Sequence, residues 1–162
     1  MKLTAAILTI SDSSHQGLRE DLSGPKLQRC LCNAGFEITL TRVIPDDALQ
    51  IAASLRDAAS QAQFVVTTGG TGISPRDVTP EATLSVCGRI LDGIAELMRA
   101  EGAKHTRFAA LSRGVCGTLG TSLILNLPGN PAGAEQSLKS VLHLIPHALD
   151  LLAGKTEHSA TP

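Results

Sequence analysis

The 162-residue sequence has no tryptophan and no tyrosine, and its aromatic side chains are limited to Phe36, Phe64 and Phe108. That excludes a stacking platform for single-stranded nucleic acid and an aromatic cage for a cation. A planar ligand has to rest on aliphatic side chains and backbone. A large charge of either sign is missing too: 14 Lys and Arg against 15 Asp and Glu leave a net charge of −1, no electrostatic footprint for nucleic acid. Cys30, Cys32, Cys87 and Cys116 are scattered and form no C-x-x-C pair, which fits reduced thiols in a cytoplasmic protein rather than a disulfide or zinc framework. Among the histidines, His143 and His147 lie one helical turn apart but lack a third ligand. No apolar run is long enough to span a membrane. Met1 to Ile10 mimics the start of a signal peptide, but it passes into a polar loop without a small-residue cleavage pattern and reads as a first buried strand.

What is present is one domain's worth of apolar residues, 43% of the chain, enough for a proper core over residues 1–153 with a polar, frayed tail at 154–162. Apolar periodicity predicts strands over 3–10, 36–44, 64–68 and 122–127. Helices are predicted from Ser23-Gly24-Pro25 to Gly35, with proline at the first helical position, then from Asp46-Asp47 through Ala59, from about Pro80, and from Pro131 to Leu152 with a kink at Pro146. Gly120-Thr121 reads as a hairpin turn. Strands alternating with helices give an α/β fold of three layers, α/β/α, whose mixed sheet is mostly parallel. Ligands of such sheets sit beyond the carboxyl ends of the strands. Ser11-Asp12, Asp46, Gly69 to Gly72 and Pro128-Gly129 all fall there.

The most telling stretch runs from Thr67-Thr68-Gly69-Gly70-Thr71-Gly72 to Pro75-Arg76-Asp77-Val78-Thr79-Pro80-Glu81. Its glycines let the backbone approach a ligand closely and offer several N–H groups to an anion. Thr79 followed by Pro80 reads as a helix N-cap and first helical position, where the helix dipole favours negative charge. The stretch has neither the Lys-Ser/Thr of a P-loop nor the spacing of a dinucleotide fingerprint. Asp46 has two readings, a cap for the helix that follows or a functional acid. Asp77 has two as well, an ion pair with Arg76 or a turn bond within the loop, against a functional acid.

T-T-G-G-T-G followed by P-R-D-V-T-P-E-A-T resembles the signature of the molybdopterin-binding family that includes the molybdopterin adenylyltransferases of molybdenum cofactor synthesis. Ile10-Ser11-Asp12-Ser13, Asp21-Leu22-Ser23-Gly24-Pro25 and Leu127-Pro128-Gly129-Asn130-Pro131 match the same family. The similarity covers about residues 3 to 152. It implies transfer of AMP from ATP to the terminal phosphate of molybdopterin, with Asp46 and Asp77 as the catalytic acids. It also implies a pterin site at Ser112, Pro128, Gly129 and Asn130, and a homotrimer.

Both reacting phosphates are anionic, so the chemistry calls for a divalent cation, Mg²⁺, held by Asp46 and Asp77. It also calls for N–H donors around the transferred group. Ser11, Asp12, Gly69, Gly70, Thr71 and Gly72 are the expected nucleotide and phosphate contacts, and Arg76 and Arg113 are further phosphate candidates. The alternatives are a pterin-binding or scaffolding module without turnover and a molybdate-inserting relative. The latter normally carries this domain in a longer chain and is also a possible partner.

Overall fold

The computed structural model describes residues 1–155. Residues 156–162, most of the expected polar tail, lie outside the described residues. One sheet of six strands organises the rest: β1 (Thr4–Ile10), β2 (Glu37–Ile44), β3 (Phe64–Thr68), β4 (Arg89–Ile90), β5 (Cys116–Leu119) and β6 (Ser122–Leu127). Their spatial order is β2-β1-β3-β6-β5-β4. The β1/β2, β1/β3 and β3/β6 pairs are parallel, and the β4/β5 and β5/β6 pairs are antiparallel.

The helices are α1 (Asp12–His15), α2 (Ser23–Asn33), α3 (Ala48–Gln61), α4 (Thr79–Val86), α5 (Asp92–Ala103), α6 (Pro131–Val141) and α7 (Ile145–Leu152). Alternation along the central strands sorts side chains between two cores. Ile7, Phe64, Val66, Leu123 and Leu125 face α2, α5, α6 and α7 through Leu27, Leu31, Met98, Leu138 and Ile145. Leu8, Ile10, Val65 and Ile124 face α3 and α4 through Ile51, Leu55 and Ala82. This is the three-layer α/β/α arrangement with a mixed, mostly parallel sheet that the sequence pattern predicts. Among the described residues, no helix is long and apolar enough to cross a membrane.

Three local expectations need correction, and two short elements go unread. The final helix does not bend at Pro146 but breaks: α6 gives way to a 3₁₀ turn over Leu142–Leu144, and Pro146 falls in the first turn of α7, where a missing N–H loses no bond. Helix α2 starts at Ser23, two residues before Pro25, because Asp21 accepts from the Gly24 amide at 2.9 Å and stands in for a cap. Thr79 lies inside α4 rather than capping it. Strand β4 and helix α1 are too short to leave a periodic signal. At the tail's near end, Gly154 and Lys155 close α7, with the Gly154 amide on Leu151 O and Lys155 Nζ 2.8 Å from Asp150.

Candidate active site

The strand order reverses between β1, whose successor β2 lies to one side, and β3, which lies to the other. That reversal opens a crevice at the carboxyl ends of the strands, and the glycine loop after β3 enters it. Gly69 and Gly70 have φ of 100° and 68°, the left-handed region that side chains resist. Sterics require glycine as well: a Cβ on Gly69 would overlap the Ile10 carbonyl oxygen, and one on Gly70 would overlap Thr79 Oγ1. Thr79 is buried beneath the loop. Its hydroxyl donates to Gly69 O at 2.9 Å and its amide to Gly70 O at 3.1 Å. The Gly69 amide donates to Leu127 O at 3.1 Å. The amides of Gly70, Thr71 and Gly72 donate to no acceptor among the described residues, so three donors remain for an anion.

The loop rests on a buried polar chain. Asn126, fully buried on β6, donates to Thr67 Oγ1 at 3.0 Å and to Thr83 Oγ1 at 2.9 Å. Thr83 in turn donates to Thr79 O at 2.8 Å. Every link is satisfied, and among the described residues no buried side-chain polar atom lacks a partner, the condition under which such networks stiffen what they support.

Asp46 is not a helix cap. The residue after it, Asp47, caps α3 by accepting from the Gln50 amide at 2.9 Å. Asp46 instead makes a reciprocal pair with Asp12: Asp12 N donates to Asp46 Oδ2 and Asp46 N to Asp12 Oδ1, both at 2.9 Å. Arg76 then reaches across from the glycine loop and donates to Asp12 Oδ2 at 3.1 Å from Nε and 2.7 Å from Nη2. The two aspartates part company electrostatically. The Arg76 guanidinium holds the Asp12 carboxyl below the ordinary carboxylate range. Burial first, and then the charges of Asp12 and Asp77, push that of Asp46 up. Asp77 makes the turn bond with one oxygen while still facing the site: its Oδ2 accepts from the Ser74 amide at 2.9 Å, and its ion pair with Arg76 does not form because Asp12 has taken the guanidinium.

Two cavities flank the loop. One, of about 540 Å³, is lined by Ile73, Met98, Phe108, Leu111, Ser112 and Pro128 among others. The second, of about 450 Å³, is polar, with Thr9, Ser11, Ser14, Asp21, Ser23 and Asp46 in its wall. Gly70, Asp77, Gly129 and Asn130 border both. Of the expected site residues, Ser112 and Pro128 fall in the apolar cavity with Thr71 and Gly72, and Ser11, Asp46 and Gly69 fall in the polar one. Asp12 stands behind Asp46 rather than in the wall. Asn130 caps α6, accepting from the Gly133 amide at 2.9 Å, while also facing both cavities. Its loop is pinned by Thr68, which donates to Pro128 O at 2.7 Å, and by Ser23, which donates to Gly129 O at 2.8 Å.

Phe36 and Phe64 pack on each other in the core, ring centroids 5.7 Å apart, which leaves Phe108, 65% exposed, as the aromatic of the apolar cavity. Met98 and Thr106 on its rim carry no motif that would have marked them in the sequence. Arg113 is no free phosphate contact, since its guanidinium is committed to protein groups on the loop and on α4. Among the described residues, no group of three or more His, Cys, Asp or Glu side chains could hold a metal by itself.

Residues 6–147 match the family model described as "Probable molybdopterin binding domain". The chain is 40% identical over 156 residues to the molybdopterin adenylyltransferase of Helicobacter pylori, covering 91% of this chain and 86% of that one. It is 38% identical to the molybdenum cofactor synthesis protein cinnamon of Drosophila melanogaster, covering 93% of this chain but only 26% of that longer protein. The crystal structure of the molybdopterin biosynthesis enzyme MoaB from Thermus thermophilus superposes with a TM-score of 0.89 at 44% identity, covering 94% of this chain and 98% of that one. The chain belongs to the molybdopterin-binding domain family of molybdenum cofactor biosynthesis.

Proposed function

We propose that this chain is a molybdopterin adenylyltransferase that transfers AMP from ATP to the terminal phosphate of molybdopterin. The observation that carries the reading is the pair of unlike cavities meeting at Gly70, Asp77, Gly129 and Asn130. One is apolar enough for a flat pterin, the other polar enough for a nucleotide and its phosphates, and the two reacting phosphates meet where the walls are shared. Ser112, Pro128, Gly129 and Asn130 belong to the pterin side. Ser11, with Asp12 behind it, and Gly69 belong to the nucleotide side, and the glycine loop crosses from there through Gly70 to Thr71 and Gly72 in the pterin wall.

In the reaction an oxygen of the molybdopterin phosphate attacks the α-phosphorus of ATP, the bond from that phosphorus to the α–β bridging oxygen breaks, and pyrophosphate leaves. A phosphate monoester has its second pKa near about 6 and is mostly dianionic at neutral pH, so the enzyme has little need of a base. Repulsion between anions is the larger obstacle. The free amides of Gly70, Thr71 and Gly72 supply donors at that point, fixed in place by Thr79.

Asp46 and Asp77 fit a Mg²⁺ ion carried in with ATP. Asp46 is a half-buried carboxylate whose charge is disfavoured by burial and by two neighbouring acids, an environment that a cation relieves. Two carboxylates completed by substrate phosphates and water are the set this ion commonly takes. Bound there, Mg²⁺ supplies charge neutralisation for the attacking and leaving oxygens. A homotrimer in the cytoplasm completes the reading. A relative named as a bifunctional protein of molybdenum cofactor biosynthesis, 48% of which this chain covers, supports a second, linked step of cofactor synthesis as the destination of the product, with the molybdate-inserting enzyme as partner.

Incubation with molybdopterin, ATP and Mg²⁺ tests the proposal: adenylylated molybdopterin and pyrophosphate should appear together. Tight pterin binding with no pyrophosphate would establish the scaffolding alternative instead.

A further inference from the structure

We infer that Arg113 is a positioning residue for the glycine loop, holding the Gly72–Asp77 segment so that Asp77 faces both cavities. The segment has little to hold it by itself. Ile73 to Arg76 are exposed, and the internal ties are a turn in which Asp77 N donates to Ser74 O and Ser74 N to Asp77 Oδ2, both at 2.9 Å. Two guanidinium groups tether it to the rest of the fold, one its own and one from outside. Arg76 joins it to Asp12 on the nucleotide side. Arg113 joins it from the pterin side, with Nε donating to Gly72 O at 2.7 Å, Nη2 to Asp77 O at 2.8 Å and Nη1 to Glu81.

Three donors of one rigid fork thus reach the start of the loop, its functional acid and the first turn of α4. A lysine, with a single ammonium, cannot repeat that geometry. The main chain of Arg113 is fixed as well, since its amide donates to Thr71 O at 2.8 Å. Arg99 on α5 braces the chain around Arg113 by donating to Gly114 O at 3.0 Å. Ser112, next in sequence, lines the apolar cavity. The segment 112–114 therefore connects the pterin wall to Asp77. The Arg113 partner Glu81 has its carboxyl held below the ordinary range by that guanidinium, in keeping with a standing ion pair rather than a group awaiting a phosphate.

The inference rests on the adenylyltransferase reading for its kinetic test and is independent of it for a second test. Arg113→Gln should lower kcat by roughly 10²-fold, the effect of a misplaced catalytic group. KM for ATP and molybdopterin should stay within about threefold, because the guanidinium is already committed to protein acceptors. Arg113→Lys should recover only part of kcat, and Glu81→Gln should lose less than either. In the ligand-free protein the Ser74 and Asp77 amides should exchange with deuterium at least about tenfold faster in Arg113→Gln, while the β3 amides are unchanged.

A KM that rises with kcat unchanged makes Arg113 a substrate contact and overturns the inference, as does a loop whose exchange is unaltered. If Arg113→Gln fails to fold, Glu81→Gln and Arg113→Lys decide by the same exchange measurement. A parent without turnover refutes the adenylyltransferase reading, and the exchange result still decides the role of Arg113.

Discussion

The two cavities beside the glycine loop are of similar size and share part of their walls, yet they are built from different parts of the chain. The polar one is assembled from the end of β1 and the loops that follow β1, β2 and β3, and its shape is set by hydrogen bonds among them: the reciprocal pair of Asp12 and Asp46, Thr9 donating to Asp21 at 2.8 Å, and Arg76 donating to Asp12. The apolar one is completed by α5, the 3₁₀ turn over Arg107–Leu111 and α6, which supply Met98, Phe108, Leu111 and Ser137. One side therefore depends on charge and hydrogen bonds and the other on packing. Asp77 belongs to both. Substitutions should divide along that line, with rate lost through the shared and polar side and pterin affinity lost through the apolar side.

The largest effect is expected at the shared border. Asp77→Asn should abolish measurable turnover, a loss of at least roughly 10³-fold at the upper end for one electrostatic stabiliser, while molybdopterin still binds. An equal loss of pterin affinity would erase the distinction between the cavities. Next comes the polar wall. Asp46→Asn should lose roughly 10²-fold in rate, partly recovered at high Mg²⁺, whereas Asp47→Ala should leave the rate unchanged and destabilise the fold by about 1 kcal/mol through loss of the α3 cap. Asp47→Ala variants that lose activity while Asp46→Asn variants keep it would reverse the roles of the two aspartates.

A pH effect of smaller size should separate Asp46 from its neighbours. The folded state raises its carboxyl above the ordinary value, chiefly by burial. Its contribution to stability is therefore fully present below the unfolded value and lost as pH rises through the raised one. Melting temperature of the parent should fall relative to Asp46→Asn across that acid window and stay lower above it, and Mg²⁺ should narrow the gap. A parent that gains on the variant as pH rises would mean that Asp46 is stabilised in its charged form. The smallest effect belongs to the apolar wall: Ser112→Ala should weaken molybdopterin binding by about 1 kcal/mol, as one hydrogen bond does, with ATP binding untouched.

Sequence pattern reached some of this architecture and not the rest, for physical reasons. Strands β3 and β6 are readable to the residue because every position in them is buried and polar, glycine or proline residues bound them. Two residues of strand, as in β4, carry no period. Asp46 and Asp47 are both suitable caps, and the choice between them is made by Asp12, which arrives from β1. Thr79 followed by Pro80 has the appearance of a cap, but the glycine loop folds back over it and uses its hydroxyl. Arg113 lies 41 residues from Gly72 in the chain, so nothing local marks its partners. The glycine loop and the P-G-N-P segment were legible as site elements because glycine and proline declare the backbone they need. The long-range bonds that aim them were not.

For the two phosphates to meet, the two cavities must hold two substrates at once. With Asp77→Asn protein, in which turnover is stopped, titration calorimetry of molybdopterin should give nearly the same affinity with and without saturating ATP and Mg²⁺, at one site of each per chain. Competition, with ATP displacing molybdopterin, would contradict it and place both ligands in a single cavity.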